Sequence, residues 1–346
     1  MNYQVCQYNK LYKTSVLDLL KHMWQNNEEE QIRRKFEWRY EQNPDQNIPY
    51  IFIALDKESK VVGFRAFVVQ EFCKGAIRIK IFNPADAIIH PKHRRKGLFS
   101  KLTNALIELI SNEEKNAIVL NLSSNTESTY GYLKLGWSLT NGQRMHAYKI
   151  SPKHFVVKSS QKSIDKVEQD TKSGTIVVSS KVELGQISTF EKMRRGQYIL
   201  ENYRSKDYYN WRYIQAPDKN KYYSAYLKSD RIKAYIILKR ISGNQFSLDE
   251  YDAHSVLELR QLIKKVVDIL NISILRTWML NKSDQKLLAK CGFIRERQWI
   301  LKMAGKKRLP LLVRPAVLQP NEEDLLFDGL DIRDMNNWRI QKADSH

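Results

Sequence analysis

The stretch His90 to Leu109, HPKHRRKGLFSKLTNALIEL, sets Lys92, His93, Arg94, Arg95 and Lys96 directly before Gly97 and an amphipathic run. So many like charges repel one another unless an anion sits among them. Upstream, PADAIIH has the β-branched character of a buried strand, which Pro91 ends. Downstream, Leu98, Phe99, Leu102, Ala105, Leu106, Leu109 and Ile110 fall at helical spacing. KHRRKG is therefore a tight loop feeding a helix N-terminus, where free backbone N–H groups and the positive end of the helix dipole make an anion site. Gly97 lets the backbone come close to a phosphate, and the arginines and lysines supply charge-assisted bonds. The chemistry this predicts is the holding of a phosphorylated ligand.

The elements that must position this loop occur twice. FEWRYEQNP (Phe36 to Pro44) returns as YNWRYIQAP (Tyr209 to Pro217). The helix-like TSVLDLLKHMW and ISTFEKMRRGQ precede them at the same offset. IFIALDKESKVVGFRAFVV and YYSAYLKSDRIKAYIILK follow, each reading strand, turn, strand. Each half then has a strand, a short helix closed by glycine and another strand, with Gly136 and Gly292 at the left-handed position beyond the helix. Between the halves, SPKHFVVKSSQKSIDKVEQDTKSG is rich in Lys, Ser and Gln and has little periodicity. The expected organisation is a first domain over residues 1–155, a linker or crossover over 156–180, a second copy over 181–306 and a C-terminal extension over 307–346 that packs on a domain, with Trp338 in a core.

The 346 residues, 42% hydrophobic and 28% charged, suit two globular domains rather than a disordered chain. No apolar run is long enough to span a membrane, and the first residues lack a signal-peptide core. The three cysteines, Cys6, Cys73 and Cys291, fit neither a disulfide framework nor zinc spacing, which makes a reducing cytoplasm the expected setting. No histidines have metal-ligand spacing, so no metal is expected. The net charge of +20 favours anionic partners.

NTESTYGYLKLGW narrows the reading: Asn125 stands seven residues before Tyr132, and Gly136 four after it. Taken with the basic loop, this resembles the GNAT superfamily of N-acetyltransferases. In that family an Arg/Gln-x-x-Gly-x-Gly/Ala loop cradles the pyrophosphate of acetyl-CoA, and an Asn-x6-Tyr-x3-Gly-aromatic segment follows the next strand. Arg94, Gly97, Asn125, Tyr132, Gly136 and Trp137 match; Phe99 departs, standing where a small residue is usual and crowding the second loop amide. The match covers roughly Ile51 to Ile150.

The resemblance implies an α/β fold: two tandem GNAT-like domains, each a mixed, mostly antiparallel sheet with a splayed parallel strand pair, flanked by helices. In the first, catalytic, domain the splayed strands would be Ala85 to His90 and Ala117 to Leu122. Ile88 and Ile89 would bind the pantetheine arm, Arg95, Lys96, Gly97, Leu98, Phe99 and Ser100 the pyrophosphate, with His90 and Asn125 beside the cofactor, and Lys92, Arg94 or Lys96 would reach the 3′-phosphate. Tyr132 matches the general acid that protonates the leaving thiolate. Asp86 is the leading carboxylate for the general base, alongside its reading as a hydrogen-bonded strand-end aspartate; Glu71 and Glu127 are weaker, and His90 could relay a proton through water. The second domain, with FSLDEYDAHSVLELRQ and no glycine in place of the basic loop, is expected to bind no CoA, its Asp249, Glu250 and Asp252 repelling a pyrophosphate. The WRY segments, alike in both halves, are expected to be structural, their arginines bonding backbone carbonyls.

Three functions are compatible with this. The first is an acetyl-CoA-dependent N-acetyltransferase acting directly on the primary amine of a small, anionic acceptor; two-domain bacterial proteins of this kind point to an amino sugar or nucleotide-sugar of surface-polysaccharide metabolism. The second is an aminoacyl-tRNA-dependent, peptidoglycan-type transferase, which the intact phosphate loop disfavours, leaving nucleic acid an unexpected partner. The third is a non-catalytic acyl-CoA-binding protein. The sequence leaves the oligomeric state open.

Overall fold

The computed structural model describes residues 2–24, 27–124, 126–155, 165–194, 199–297 and 309–345. The first repeat runs β1 (Gln4–Gln7), α1 (Lys13–Lys21), α2 (Glu29–Phe36), β2 (Ile51–Leu55), β3 (Val61–Lys74), β4 (Ile77–Ile89), α3 (Leu98–Glu113), β5 (Ile118–Asn121), α4 (Thr126–Lys134) and β6 (Ser138–Ile150). The second runs β7 (Lys166–Thr171), β8 (Gly174–Ser179), α5 (Leu184–Arg194), β9 (Leu200–Asn202), α6 (Lys206–Tyr209), β10 (Tyr222–Lys228), β11 (Ile232–Ser242), β12 (Gln245–Ala253), α7 (Val256–Ile269), β13 (Ile274–Met279), α8 (Lys282–Lys290) and β14 (Ile294–Arg295). Short strands follow: β15 (Leu309–Pro315), β16 (Leu326–Phe327), β17 (Leu330–Asp331) and β18 (Trp338–Arg339).

These elements form two compact units, one of residues 1–141 and 310–337, the other of residues 142–309 and 338–345. The sheet of the first unit has strand order β1-β2-β3-β4-β5-β15, antiparallel throughout except for β4–β5. That of the second is β7-β8-β10-β11-β12-β13-β6, with β12–β13 its parallel pair. The expected pair of mixed, mostly antiparallel sheets is what the chain builds. In the first unit, α1 and α2 bury Val16, Leu20, Ile32 and Phe36 against one face of β2 and β3. On the other face, α3 packs Leu106, Ile107 and Ile110 beside Phe67, Phe82 and Val119. In the second unit, α7 sets Leu259, Leu262, Ile263 and Val266 against Ile236, Leu238 and Leu248.

The division differs from contiguous domains ending near residues 155 and 306. After α4 the chain leaves the first unit, and Met145–Ile150 of β6 pair with Met279–Ile274 of β13. The slot beside β5 is filled by β15, with Leu312 opposite Asn121 and Pro315 opposite Ile118. A backbone ladder accepts any segment of suitable length and side-chain pattern, so sequence order does not decide which strand completes which sheet. The extension is likewise shared: residues 310–337 belong to the first unit and 338–345 to the second, where Trp338 is buried. Much of the segment expected to be a linker is an antiparallel hairpin, β7–β8, which pairs through β8 with β10. Its outer strand is largely exposed, so it carries the polar composition of a loop while making a full ladder. Residues 156–164 of that segment lie outside the described residues.

Both short helices end as expected. Gly136 and Gly292 adopt φ of +82° and +84°. The Trp137 N–H donates to Tyr132 O at 3.2 Å, and the Phe293 N–H to Leu288 O at 3.0 Å, closing each last turn.

Candidate active site

β4 and β5 are paired only at Ile81–Ile118 and Phe82–Val119. β4 continues to Ile89 without β5 beside it, and the register of β3 against β4 shifts between Arg65 and Phe67. This bulge bends β4 away from β5 and opens a splay of the expected kind. At its end lies a cleft of about 480 Å³. Ala87, Ile88 and Ile89 of β4 form its floor, and His22 and Met23, just past α1, one side. His93, Arg94, Arg95, Gly97, Leu98 and Phe99 form the rest.

The loop at this cleft has the backbone of an anion cradle. Arg95 and Gly97 both have positive φ, +60° and +73°. Alternation of left- and right-handed residues turns successive N–H groups toward one side, and the first amides of α3 have no partner within the helix. At Gly97 a side chain would find open space, so glycine is required by φ and not by crowding. Arg94 Nε donates to Ile89 O at 3.2 Å, tying the loop to the end of β4.

Of the residues expected to hold a cofactor, Ile88, Ile89, Arg94, Arg95, Gly97, Leu98 and Phe99 meet in this cleft. Lys96 and Ser100 are exposed on the same turn. The His90 ring stands edge-on to His22 and His93, with centroids 5.8 and 5.6 Å away. Burial, then the adjacent His93 and His22, holds its imidazole below the ordinary range, which favours the neutral ring. Asn125 lies outside the described residues, as does the side chain of Glu127. Glu71 sits opposite Lys80, beyond the bulge from the cleft.

Tyr132 is 5% exposed, its ring edge-on to Phe99 and Trp137. Its hydroxyl accepts a 2.6 Å hydrogen bond from Nη2 of Arg65, a residue no motif had singled out. The available signal was a lone charge inside the apolar strand VVGFRAFVV. Phe99 lines the cleft and touches Tyr132, so the departure at position 99 places a ring between the loop and the phenol.

Asp86 is not a free carboxylate. Its Oδ2 accepts from Arg39 Nη1 at 2.8 Å and from the Tyr40 hydroxyl at 2.6 Å. Both partners belong to the first WRY segment, which forms a five-residue π-helical turn, Glu37–Glu41. The second WRY lies in the matching turn Asn210–Ile214, where Tyr213 donates to Glu250 at 2.5 Å and Arg212 Nε to the Ala343 carbonyl at 3.2 Å. The repeated motif therefore anchors a carboxylate on β4 and on β12, and among the described residues only its second arginine bonds a backbone carbonyl as expected.

In the second unit the equivalent strand end is partly occupied from within, beside a cleft of about 370 Å³ whose lining includes Tyr251, Asp252, Ser255, Arg339 and Gln341. β12 and β13 pair over Gln245–Ser247 and Ile274–Arg276, after which the Thr277 hydroxyl bonds Leu248 O at 2.8 Å. The C-terminal segment then lies along β12. Gln341 Nε2 donates to Tyr251 O at 2.6 Å, and its Oε1 accepts from Tyr251 N at 3.3 Å. Lys342 reaches Ser247 Oγ and Asp249, and Arg339 pairs with Glu201 and Asp252. Asp249 and Asp252 are thus matched by cations of this segment. Glu250, fully buried, is matched by Arg204 at 3.0 Å. These acids do not project at the start of α7 as expected; that helix is instead capped by Ser255, which accepts from Glu258 N.

Among the described residues, no group of histidines, cysteines, aspartates and glutamates could hold a metal ion, and no helix is long and apolar enough to cross a membrane.

Comparison with known proteins agrees with this geometry. Residues 61–145 match the model of the FR47-like protein family. Among solved structures, a probable N-acyltransferase from Enterococcus faecalis superposes with a TM-score of 0.64 at 12% identity, over 92% of this chain and 73% of that one. A GCN5-related N-acetyltransferase from Anabaena variabilis gives 0.59 at 12% identity, over 91% and 73%. A tandem GNAT protein of the clavulanic acid biosynthesis pathway gives 0.56 at 10% identity, over 93% of this chain and 100% of that one. The chain has the tandem GNAT fold. Among curated proteins, no sequence matches it.

Proposed function

We propose that the protein is an acetyl-CoA-dependent N-acetyltransferase whose single active site lies in the first unit. The observation that carries this reading is the conjunction, in one cleft, of a splayed parallel strand end and a loop with left-handed Arg95 and Gly97 opening a helix. The residues fit the cosubstrate. The edge of β4 left without β5 at Ile88 and Ile89 suits the amides of a pantetheine arm. The amides of residues 97–100 suit its pyrophosphate, and Lys92, Arg94 and Lys96 its 3′-phosphate. Tyr132 is the general acid. Asp86, held by an arginine and a phenol, serves to fix the bulge of β4, and the amine loses its proton by another route, with the neutral His90 ring placed to accept it through water.

The acceptor in this reading is a small molecule with a primary amine, an amino sugar or nucleotide-sugar, drawn to the site by the positive charge of the chain. The protein acts in the cytoplasm: Cys6, Cys73 and Cys291 are all free, which suits a reducing compartment.

Calorimetric titration with acetyl-CoA tests the site. Arg94→Ala should weaken binding at least tenfold while the thermal melt is retained; Gly97→Glu should weaken it at least as much, with a melt lowered by a few degrees, since the glutamate both opposes the phosphates and occupies a left-handed position. Unchanged affinity in both variants would place the cofactor elsewhere.

A further inference from the structure

Arg65 is 1% exposed, and among the described residues no carboxylate pairs with it. Burying a cation without a counter-ion is costly, and the compensation here is slight. Nη1 makes a 3.4 Å contact with the Asp86 carbonyl, and Nε has no hydrogen-bond partner. The guanidinium lies 4.9, 5.4 and 5.7 Å from the ring centroids of Phe67, Phe99 and Tyr132. Its shortest bond is the one to the Tyr132 hydroxyl.

We propose that Arg65 is the positioning residue of the transfer step, fixing the Tyr132 hydroxyl as a proton donor and then neutralising the phenolate that remains. The proposal rests on the reading of Tyr132 as general acid, and deepens it. A guanidinium has donors and no acceptor, so it occupies a lone pair of the phenol oxygen and cannot take the phenolic hydrogen. Among the described residues no other group takes that hydrogen either, which leaves it available for donation behind Phe99, the cleft residue that Tyr132 touches. In the transfer, the amine nitrogen forms a bond to the thioester carbonyl carbon, and the carbon–sulfur bond breaks with its electron pair on sulfur. The Tyr132 proton passes to that sulfur, giving the free thiol. The phenolate left behind already shares a hydrogen bond with Arg65, so the buried cation gains its counter-ion at that moment. The proton lost by the amine nitrogen restores Tyr132 through solvent. Stabilisation that exists only as charge develops raises turnover without tightening substrate binding.

The test is a mutant cycle of Arg65→Gln, Tyr132→Phe and the double variant. Free CoA release from acetyl-CoA is followed with glucosamine and with no added amine, and acetyl-CoA affinity is measured by calorimetry. Arg65→Gln should lower kcat roughly 10- to 100-fold, the scale of a lost charge-assisted bond, with acetyl-CoA affinity nearly unchanged. Arg65→Lys should recover part of the loss. The double variant should be no slower than Tyr132→Phe, because Arg65 acts through that hydroxyl. If Tyr132→Phe is slow while Arg65→Gln turns over at the wild-type rate, or if the two losses multiply, the inference fails and the general-acid reading stands. If Tyr132→Phe itself keeps the wild-type rate, the general-acid reading fails. Should Arg65→Gln not fold, the same cycle built on Arg65→Lys, which keeps the cation, decides the question.

Discussion

Replacing Gln341 with alanine tests how the second unit is closed. In the native chain this one amide satisfies Tyr251 N, bonds Tyr251 O and accepts from Arg204 Nη2 at 3.1 Å. Alanine removes these three contacts and the capping bond that the Gln341 side chain accepts from Asp344 N. Three of the four groups keep other partners, Asp344 N still donating to Gln341 O at 3.0 Å. Tyr251 O still accepts from Arg339 Nη2 at 3.3 Å, and Arg204 Nη2 still faces Asp344 at 3.4 Å. Among the described residues Tyr251 N is left with no partner of its own, and the Arg204 bond is weakened. A buried donor without a partner costs about 1–3 kcal/mol, and a weakened bond to a charged group about 1 more. The expected loss is therefore about 2–4 kcal/mol, toward the lower end where water from the adjoining cleft of about 370 Å³ reaches Tyr251. Urea unfolding followed by hydrogen exchange reads both the total and the place. The Tyr251 amide should exchange at least about tenfold faster, while amides of β3 and β4 should be unchanged. A urea midpoint at the wild-type value, with Tyr251 still fully protected, would refute the idea that this amide holds β12.

Asp86→Asn should lower stability by about 1–3 kcal/mol, because buried Arg39 loses its counter-charge, while acetyl transfer persists within about tenfold; a loss of a thousandfold or more with the fold intact would make Asp86 the base after all. Burial raises the Asp284 carboxyl from its ordinary value near 4 to about 6. The folded state therefore keeps a proton that the unfolded chain releases, and stability is lost as pH rises from about 4 to about 6. Asp284→Asn should remove that slope and be the more stable protein at pH 7, by about 1–3 kcal/mol, which pH-dependent urea curves would show or deny. Each chain should bind one CoA; a calorimetric stoichiometry of two would mean that the C-terminal segment yields its place on β12.

What the sequence disclosed was local chemistry. The basic loop, Gly97, Gly136 and Gly292 are legible because helix termini and left-handed residues depend on the few residues around them. The splay was expected from resemblance, and its length follows from the bulge opposite Arg65 and Phe67. Three features were not legible, each for a non-local reason. The exchange of β6 and β15 depends on ladders between residues far apart in the chain. The β7–β8 hairpin has the composition of a linker because its outer strand meets water. The partner of Asp86 was hidden because a carboxylate on a strand reads the same whether it faces a cleft or an arginine. Arg65 was legible only as an oddity, and its meaning required the position of Tyr132.

The exchange of strands has a consequence for synthesis. A two-domain chain ordinarily completes its first domain while the second is still being translated. Here β5 has its antiparallel partner only once Leu312–Pro315 have been made, after α5 to α8 of the second unit. Until then β5 is an open strand edge, the kind of surface that invites pairing with a neighbouring chain. β6 waits in the same way for β13. The second repeat must therefore emerge before the first can close, and the nascent chain carries an unfinished sheet through most of its translation.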